Sequence, residues 1–365
     1  MKRDLYIDFA KGLATLSIIF IHTTFWSGQY YIPTELRILS LLFDVPIFFA
    51  LSGITSGNNL EKTFHRLLKL QITYMIFVTL LFFADYFFKV FGLYFFGIES
   101  LKHFYATFGS KFVPKSISYF PEWQNLGNWY LHHYSTCDTL PVVMGSFWYL
   151  KVYYILTVFG VLILKFFPKH IYWFIALCLA LTLMFNIFPY FYPTGQVGYV
   201  AFYLGVFLIA HKMRGKKIKT RYIPLLYLGF FLALGLMFWS YGTDIFYKIN
   251  KLKFPPKFPY IIWSMFSLIT VFVFYNRLKI TKNHFVNTIG RNAIFYYFAQ
   301  GISSSLIYFI VTPLKDEMPW WGLMLIIFPI NIGLAIIIAQ ILKKCDDLGW
   351  KILSFLRAKT AETDN

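Results

Sequence analysis

Apolar residues run along this chain in long stretches broken by short polar, basic segments. A helix needs about 20 mostly apolar residues to cross a bilayer. Ten stretches match or approach that length: 5–26, 36–56, 70–91, 146–165, 171–192, 198–211, 222–242, 259–277, 293–313 and 320–342. The sixth is short by this measure. The pattern predicts an all-α, polytopic transmembrane helix bundle of about ten spans. The first stretch does not read as a cleaved signal peptide. Asp8 and Lys11 interrupt it, and His22-Thr23-Thr24-Phe25-Trp26 offers no small-residue cleavage site.

Composition agrees. Of 365 residues, 58% are hydrophobic and only 14% charged, against roughly 45–50% and 25% in soluble domains. Soluble and disordered classes are excluded. The aromatic share is 22%, from 44 Phe, 27 Tyr and 10 Trp. The net charge of +18 does not point to nucleic acid, because such proteins display their cations on polar surface that this chain lacks. Membrane lipid is the expected surrounding. With the N-terminus inside, most of the 34 Lys and Arg fall in cytoplasmic segments, including six between 212 and 221. That asymmetry predicts both termini on the cytoplasmic side. Lys248, Lys251, Lys253 and Lys257 run against the bias by sharing one outer loop.

Residues 92–145 form a long outer loop, read equally well as a lid or a connector. Within it Ile98, Leu101, Phe104, Tyr105 and Phe108 have helical spacing, which predicts an interfacial helix. After the last span, Leu348, Ile352, Phe355 and Leu356 alternate with Lys351 and Arg357. The expected organisation is a transmembrane domain over 1–345, then a cytoplasmic amphipathic helix and tail over 346–365. Cys137, Cys178 and Cys345 show no metal-ligand spacing, so no metal site is expected. No internal repeat suggests duplicated transporter halves.

Ionisable residues at membrane depth cost about 2.5–3.5 kcal/mol each on insertion scales, so each needs a reason. Asp8, Lys11, Asp44 and Asp85 are the charged candidates, and His22 is the one histidine well inside a span. Asp8 and Lys11 are three apart and share a helix face. Lys11 and His22 are eleven apart, close to three full turns, so they point the same way about 16 Å apart. Neutralisation between Asp8 and Lys11, with Lys11 reaching the inner surface, is the ordinary alternative. For His22 the ordinary alternative is a neutral ring bonded to a carbonyl.

In the second span Pro46 cannot donate to the carbonyl of Leu42, which predicts a broken helix lining a cavity. A simple proline kink is the plainer outcome. Ser52-Gly53 allows close backbone approach near the inner side. Asp44, in the outer half, is expected to approach His22. Asp85 and Lys89, four apart, read as a structural pair.

Taken together, these segments resemble the membrane acyltransferase-3 family, polytopic enzymes that O-acylate sugars and other acceptors. Ile7-Asp8-Phe9-Ala10-Lys11-Gly12, then His22, is similar to the family's basic residue, ten positions and histidine. Val45-Pro46-Ile47-Phe48-Phe49-Ala50-Leu51-Ser52-Gly53 resembles its aromatic pair and Ser-Gly. Arg66-Leu67-Leu68-Lys69 resembles its cytoplasmic basic pair, with lysine where arginine is frequent. Ser146-Phe147-Trp148-Tyr149-Leu150 and, more weakly, Phe202-Tyr203-Leu204-Gly205 echo later segments. Ile289 to Tyr297 resembles a late segment that often closes on histidine, where Gln300 stands here, so no second catalytic histidine is carried over.

The resemblance implies acyl transfer, commonly of acetyl from cytoplasmic acetyl-CoA to an acceptor hydroxyl. Acetyl-CoA is then a donor substrate, and no bound cofactor is expected. His22 is the expected general base, with Lys11 and Asp8 balancing charge and positioning the donor. Arg66 and Lys69, with Ser52 and Gly53 near the inner side, are expected to meet the CoA. The 212–221 run is a further candidate, although topology alone accounts for it. Asp44, Trp148 and Tyr149 are expected to face a saccharide or lipid-linked saccharide acceptor. The expected location is a bacterial inner membrane. A transporter of a glycan or lipid precursor is the main rival, and a membrane sensor using the 92–145 loop is the third reading.

Overall fold

The computed structural model describes residues 4–107, 123–132, 137, 139–193, 195 and 197–363. Phe108 lies outside this set, as do the side chains of Phe355, Leu356 and Arg357. All regular structure among the described residues is helical. In order the helices are α1 (Leu5–Phe25), α2 (Thr34–Ser40), α3 (Pro46–Thr55), α4 (Leu60–Ala106), α5 (Trp123–His132), α6 (Pro141–Gly145), α7 (Trp148–Phe166) and α8 (Ile171–Ile187). There follow α9 (Val197–Met213), α10 (Ile223–Tyr241), α11 (Ile245–Lys248), α12 (Phe258–Phe274), α13 (Phe285–Arg291), α14 (Ala293–Leu306), α15 (Tyr308–Leu314) and α16 (Trp320–Thr363).

Six helical segments are long and apolar enough to cross a membrane: Leu5–Tyr30, Leu60–Ala106, Trp148–Phe166, Thr220–Tyr241, Ala293–Leu314 and Trp320–Ile352. Shorter apolar helices occupy Pro46–Thr55, Ile171–Ile187, Val197–Met213 and Phe258–Phe274, the remaining stretches the sequence singles out. The sixth expected stretch gains length, since α9 extends beyond 198–211 at both ends. On α10 only Phe230 and Met237 are buried, whereas Leu225, Leu228, Phe231, Leu232, Leu236 and Trp239 are exposed. An apolar surface of that extent suits lipid contact rather than water.

The second expected stretch, 36–56, departs from a single kinked span. Leu41 and Leu42 close α2 with bonds to Ile38 and Leu39 at 3.0 and 3.1 Å, and a new helix starts at Pro46. The physical reason is local. Proline lacks the N–H that continuation would need, yet suits the first helical position. The break holds Asp44, and Ser17 of α1 donates to the exposed carbonyl of Phe43 at 2.6 Å.

The chain forms two compact units. The first comprises the residues up to Phe25, Ile32–His65 and Tyr149–Ala293. Here α1 is the central post. Tyr6 donates its hydroxyl to Val271 O at 2.7 Å, and Asn287 donates to Leu5 O at 2.7 Å. Just beyond these ties α1 and α13 cross with their backbones in contact. A Cβ on Gly290 would strike the carbonyl oxygen of Asp8, and one on Gly12 would strike that of Val286. On the far side α3 packs on α9, where a Cβ on Gly53 would strike the carbonyl of Phe207.

The second unit comprises Trp26–Tyr31, Arg66–Trp148 and the residues from Ile294 onward. In it α4 runs to Ala106 with a break at Gly97, whose φ of 75° suits glycine. The helix after Gly97 covers the expected segment as far as Ala106, but Leu101 and Tyr105 are buried against Leu93, Val142 and Tyr308. That face meets protein. Asp85 pairs with Lys89 at 2.8 Å, as the spacing predicts, and also accepts the backbone N–H of Thr139 at 3.1 Å. At the far end α16 is one 44-residue helix, so the expected separate surface helix continues the last apolar stretch. There Lys69 lies over the Trp350 ring at 5.5 Å, and Gly349 faces Ile76.

The α1–α13 crossing has a direct consequence. Gly290→Ala forces two backbones apart, and overpacking of this kind costs about 1–3 kcal/mol. Thermal unfolding in detergent should show a lowered midpoint. Gly229→Ala on α10, where a Cβ meets nothing within 4 Å, should leave the midpoint unchanged or slightly raised.

Candidate functional site

The polar centre of the first unit is assembled from five places in the chain. The post α1 carries His22 near its C-terminal end. The α2–α3 break carries Asp44. Helices α9 and α12 carry Tyr203 and Tyr260. The fifth contribution comes from the basic segment between α10 and α12, which the charge pattern assigns to an outer loop. Its apolar residues explain its path. Ile249 is fully buried and Leu252 packs beside it against Ile21, Ile38, Leu41, Tyr260 and Trp263. Burying these side chains draws the next residue inward, and Lys253 is left only 6% exposed. Outside, Tyr247 of the same segment donates to Glu35 at 2.8 Å, tying it to α2. Hydrogen bonds from its own backbone and from Tyr247 hold the Glu35 carboxyl below its usual range, while the same carboxylate raises the Tyr247 phenol.

Inside, the Lys253 ammonium sits on both oxygens of Asp44, at 2.9 Å from Oδ1 and 2.7 Å from Oδ2. Tyr260 donates its hydroxyl to Oδ2 at 2.9 Å. The Asp44 side chain is fully buried. A buried pair is strongly attractive but has lost the hydration of both ions, so its geometry and extra hydrogen bonds decide the balance. Here three short charge-assisted contacts converge on one carboxylate. Tyr203, also fully buried, lies in the field of Asp44 beside Tyr260, and its ring leans at a tilt against Phe49 with centroids 4.4 Å apart.

His22 is next to this cluster without being bonded to it. Ile21, beside it on α1, packs with Leu41, Ile249 and Tyr260, and the charges that act on the ring are Lys253 and Asp44. Nδ1 is sealed and has no hydrogen-bond partner. The residue as a whole is half-buried. The expected approach of Asp44 to His22 is thus corrected in one respect. They share an electrostatic neighbourhood, but the carboxylate oxygens are taken by Lys253 and Tyr260.

The other expected residues separate. Lys11 is half-buried and Asp8 is buried on the same helix. Helical rise places them about 16 and 21 Å from His22, at the end where α13 crosses α1. They do not join His22 in one reacting centre. Ser52 is buried, and Gly53 packs on the Phe207 backbone, so the pair lies in the contact between α3 and α9. Arg66 and Lys69 are exposed on the part of α4 that belongs to the second unit, and Lys69 lies over Trp350. Tyr149 packs on Phe48 and Phe49, with ring centroids 6.2 and 5.0 Å away, while Trp148 is buried at the start of α7. Gln300, where the resemblance puts a histidine, is 1% exposed in the second unit and neither amide atom has a partner.

Lys253, Tyr260 and Tyr203 are functional candidates that sequence reasoning missed. Tyr203 carried a signal, since it lies in the Phe202–Gly205 segment. Lys253 carried a fainter one, the apolar Ile249 and Leu252 within a basic run.

The cluster predicts a stability pattern. Tyr260→Phe removes a hydrogen bond to a charged group and should cost about 1.5–3 kcal/mol. Lys253→Ala leaves a buried carboxylate uncompensated and should cost more, about 3–5 kcal/mol. Thermal midpoints in detergent check the order.

A family model described as an acyltransferase domain matches residues 4–340, an interval containing every member of this cluster. No curated protein and no solved structure matches the chain.

Proposed function

Since the chain belongs to the acyltransferase-3 family, we propose that it is an integral-membrane O-acyltransferase that moves an acyl group, acetyl in the simplest case, from cytoplasmic acyl-CoA to a hydroxyl of a cell-surface saccharide or its lipid-linked precursor. The observation that carries this reading is His22, a half-buried histidine beside the polar centre of the first unit and inside the family-matched interval. A sugar hydroxyl is a poor nucleophile and needs a base that is neutral near physiological pH. Histidine is the side chain suited to that task.

In the proposed reaction the acceptor hydroxyl passes its proton to the His22 imidazole as its oxygen bonds to the thioester carbonyl carbon. The carbon–sulfur bond breaks, and the departing thiolate takes the proton back from the imidazolium. Ester and free thiol are the products, and the histidine is regenerated. Transfer is direct, without an acyl-enzyme. Asp44, held by Lys253 and Tyr260, forms one wall of the acceptor region, and Tyr149 with its aromatic neighbours offers a face to a sugar ring. The anionic CoA meets the basic side that ten spans with both termini inside would create. Lys11 and Asp8, lying toward the opposite end of α1, act on the donor's side of the path. A bacterial inner membrane is the setting this chemistry fits.

Purified protein incubated with labelled acetyl-CoA and candidate glycans tests the reading. Wild-type protein should release CoA and label an acceptor. His22→Ala should lower the rate by about 10²–10⁴-fold, the usual contribution of a general base, with helicity and thermal midpoint retained. No CoA release with any acceptor, alongside CoA-free movement of a glycan, would establish a transporter instead. An acyl group trapped on His22 after incubation with donor alone would replace direct transfer by a two-step route.

A further inference from the structure

We propose that α5 is a re-entrant helix dipping into the membrane beside α4, and that its outward stripe of Gln124, Gly127 and Asn128 is a wall for a neutral, water-soluble saccharide. The inference rests on the saccharide acceptor of the proposed function and assigns that acceptor a surface in the second unit. An outer loop should meet α4 only beyond the apolar stretch 70–91. Instead α5 runs back along that stretch, antiparallel to α4. At its start the Trp123 ring lies 5.5 Å from Phe82 and 6.1 Å from Phe83. At its end the Tyr74 hydroxyl donates to Trp129 O at 2.6 Å, and Gln71 Nε2 donates to Tyr130 O at 3.3 Å. The Tyr130 hydroxyl also bonds that of Thr79. The ten residues of α5 rise about 15 Å, and residues 71 to 82 of α4 rise about 17 Å, so the lengths match. Cys137 and Thr139 are then back at the level of Asp85, whose Oδ1 accepts the thiol at 3.6 Å and the Thr139 N–H at 3.1 Å.

The end of α5 is built for water-poor surroundings. The last carbonyls of a helix lack intrahelical partners, and within a membrane they must find others in the protein. Gln71 and Tyr74 supply two such donors, which gives a polar residue at the head of an apolar stretch its reason. The opposite face of α5 differs. Gln124, Gly127, Asn128 and Leu131 recur at helical spacing and are all exposed. A Cβ on Gly127 would meet nothing within 4 Å. The exposed residues of α4 at the same levels are Met75, Leu80, Phe83 and Ala84, the pattern of a surface against lipid. Two carboxamides and a glycine do not repeat it, since lipid cannot bond to the amides. The stripe therefore faces polar content.

The chemistry of the stripe selects the occupant. It carries no charge, which suits a neutral ligand and not the anionic CoA. Each carboxamide offers two donors and an acceptor. One helical turn sets their Cβ atoms about 6 Å apart, a spacing that suits hydroxyls of one sugar ring. Trp123, 59% exposed at the Asp85 end of α5, adds an apolar ring edge where a saccharide would enter.

Thiol labelling tests the wall without turnover. In a Cys345→Ser background, where the remaining thiols are buried, Gln124→Cys and Asn128→Cys should react with a membrane-impermeant maleimide added to membrane vesicles. Leu228→Cys and Phe231→Cys on α10 should stay unlabelled. Maltohexaose, cellohexaose or chitohexaose at saturating concentration should slow the α5 reactions by about tenfold or more, and CoA should not. In the transfer assay, Asn128→Ala and Gln124→Ala should each raise the KM for the glycan about 3–10-fold, the effect of one lost hydrogen bond. The KM for acetyl-CoA should stay unchanged. Labelling no greater than on α10 means that the stripe faces lipid and overturns the proposal. Labelling that no saccharide slows overturns it as well, leaving a wall against water only. Acyl transfer whose glycan KM neither alanine variant changes removes the wall and keeps the acyltransferase. Saccharide protection in a protein that transfers no acyl group supports the wall and removes the acyltransferase reading.

Discussion

A carboxylate inside a membrane protein must either be protonated or be answered by a cation, and the architecture around Asp44 follows from the second solution. The helix is interrupted at Asp44 because Pro46 starts a new one, which turns the carboxylate out of a regular ladder and leaves the carbonyl of Phe43 for Ser17. The answering cation comes from 209 residues further along, on a segment that buries Ile249 and Leu252 to bring it there. Tyr260 completes the coordination from a third element. Break, inward segment and phenol make sense only together, since removing any one leaves an ion or a polar group uncompensated in an apolar interior.

His22 is placed against this cluster by backbone contacts rather than by its own bonds. Gly12 and Gly290 let α1 and α13 touch, with Tyr6 and Asn287 fixing the same post to its neighbours. The segments that carry the family resemblance therefore divide into two kinds. Gly12, Gly53 and Gly290 are there because a side chain would collide with a carbonyl. His22, and Tyr203 in the weakest of the echoes, are there for the polar centre. Similarity of sequence does not separate these roles; the crossing geometry does.

Much of the helical framework was legible because it depends on local apolar length, which needs no knowledge of tertiary contacts. The Asp85–Lys89 pair was legible for the same reason, being one helical turn. Asp44 and Lys253 were not, because their partnership is set by a loop folding inward and no local spacing records it. Counting Lys253 toward topology treated it as solvated, which is the right default for a loop lysine and wrong for one flanked by buried Ile249 and Leu252. Ser52-Gly53 shows the opposite error. A small-residue pair near an expected donor site suggested ligand contact, whereas its smallness is consumed by α9. The tail failed differently. An amphipathic pattern after the last apolar stretch is compatible with a new helix or with continuation, and the chain continues.

The remaining question is why the polar centre carries an ion pair at all, when apolar packing of the same volume is often as stable. A neutral pair has a property that neither an apolar patch nor a single charge offers. It presents a strong local dipole while contributing little net charge at a distance. Held by three short contacts from two further elements, the pair also joins the inward segment and α12 to the helix break at one point and in one direction, which apolar packing alone would not fix. On this view the stability lost in burying two charges is exchanged for a single arrangement of the elements around His22.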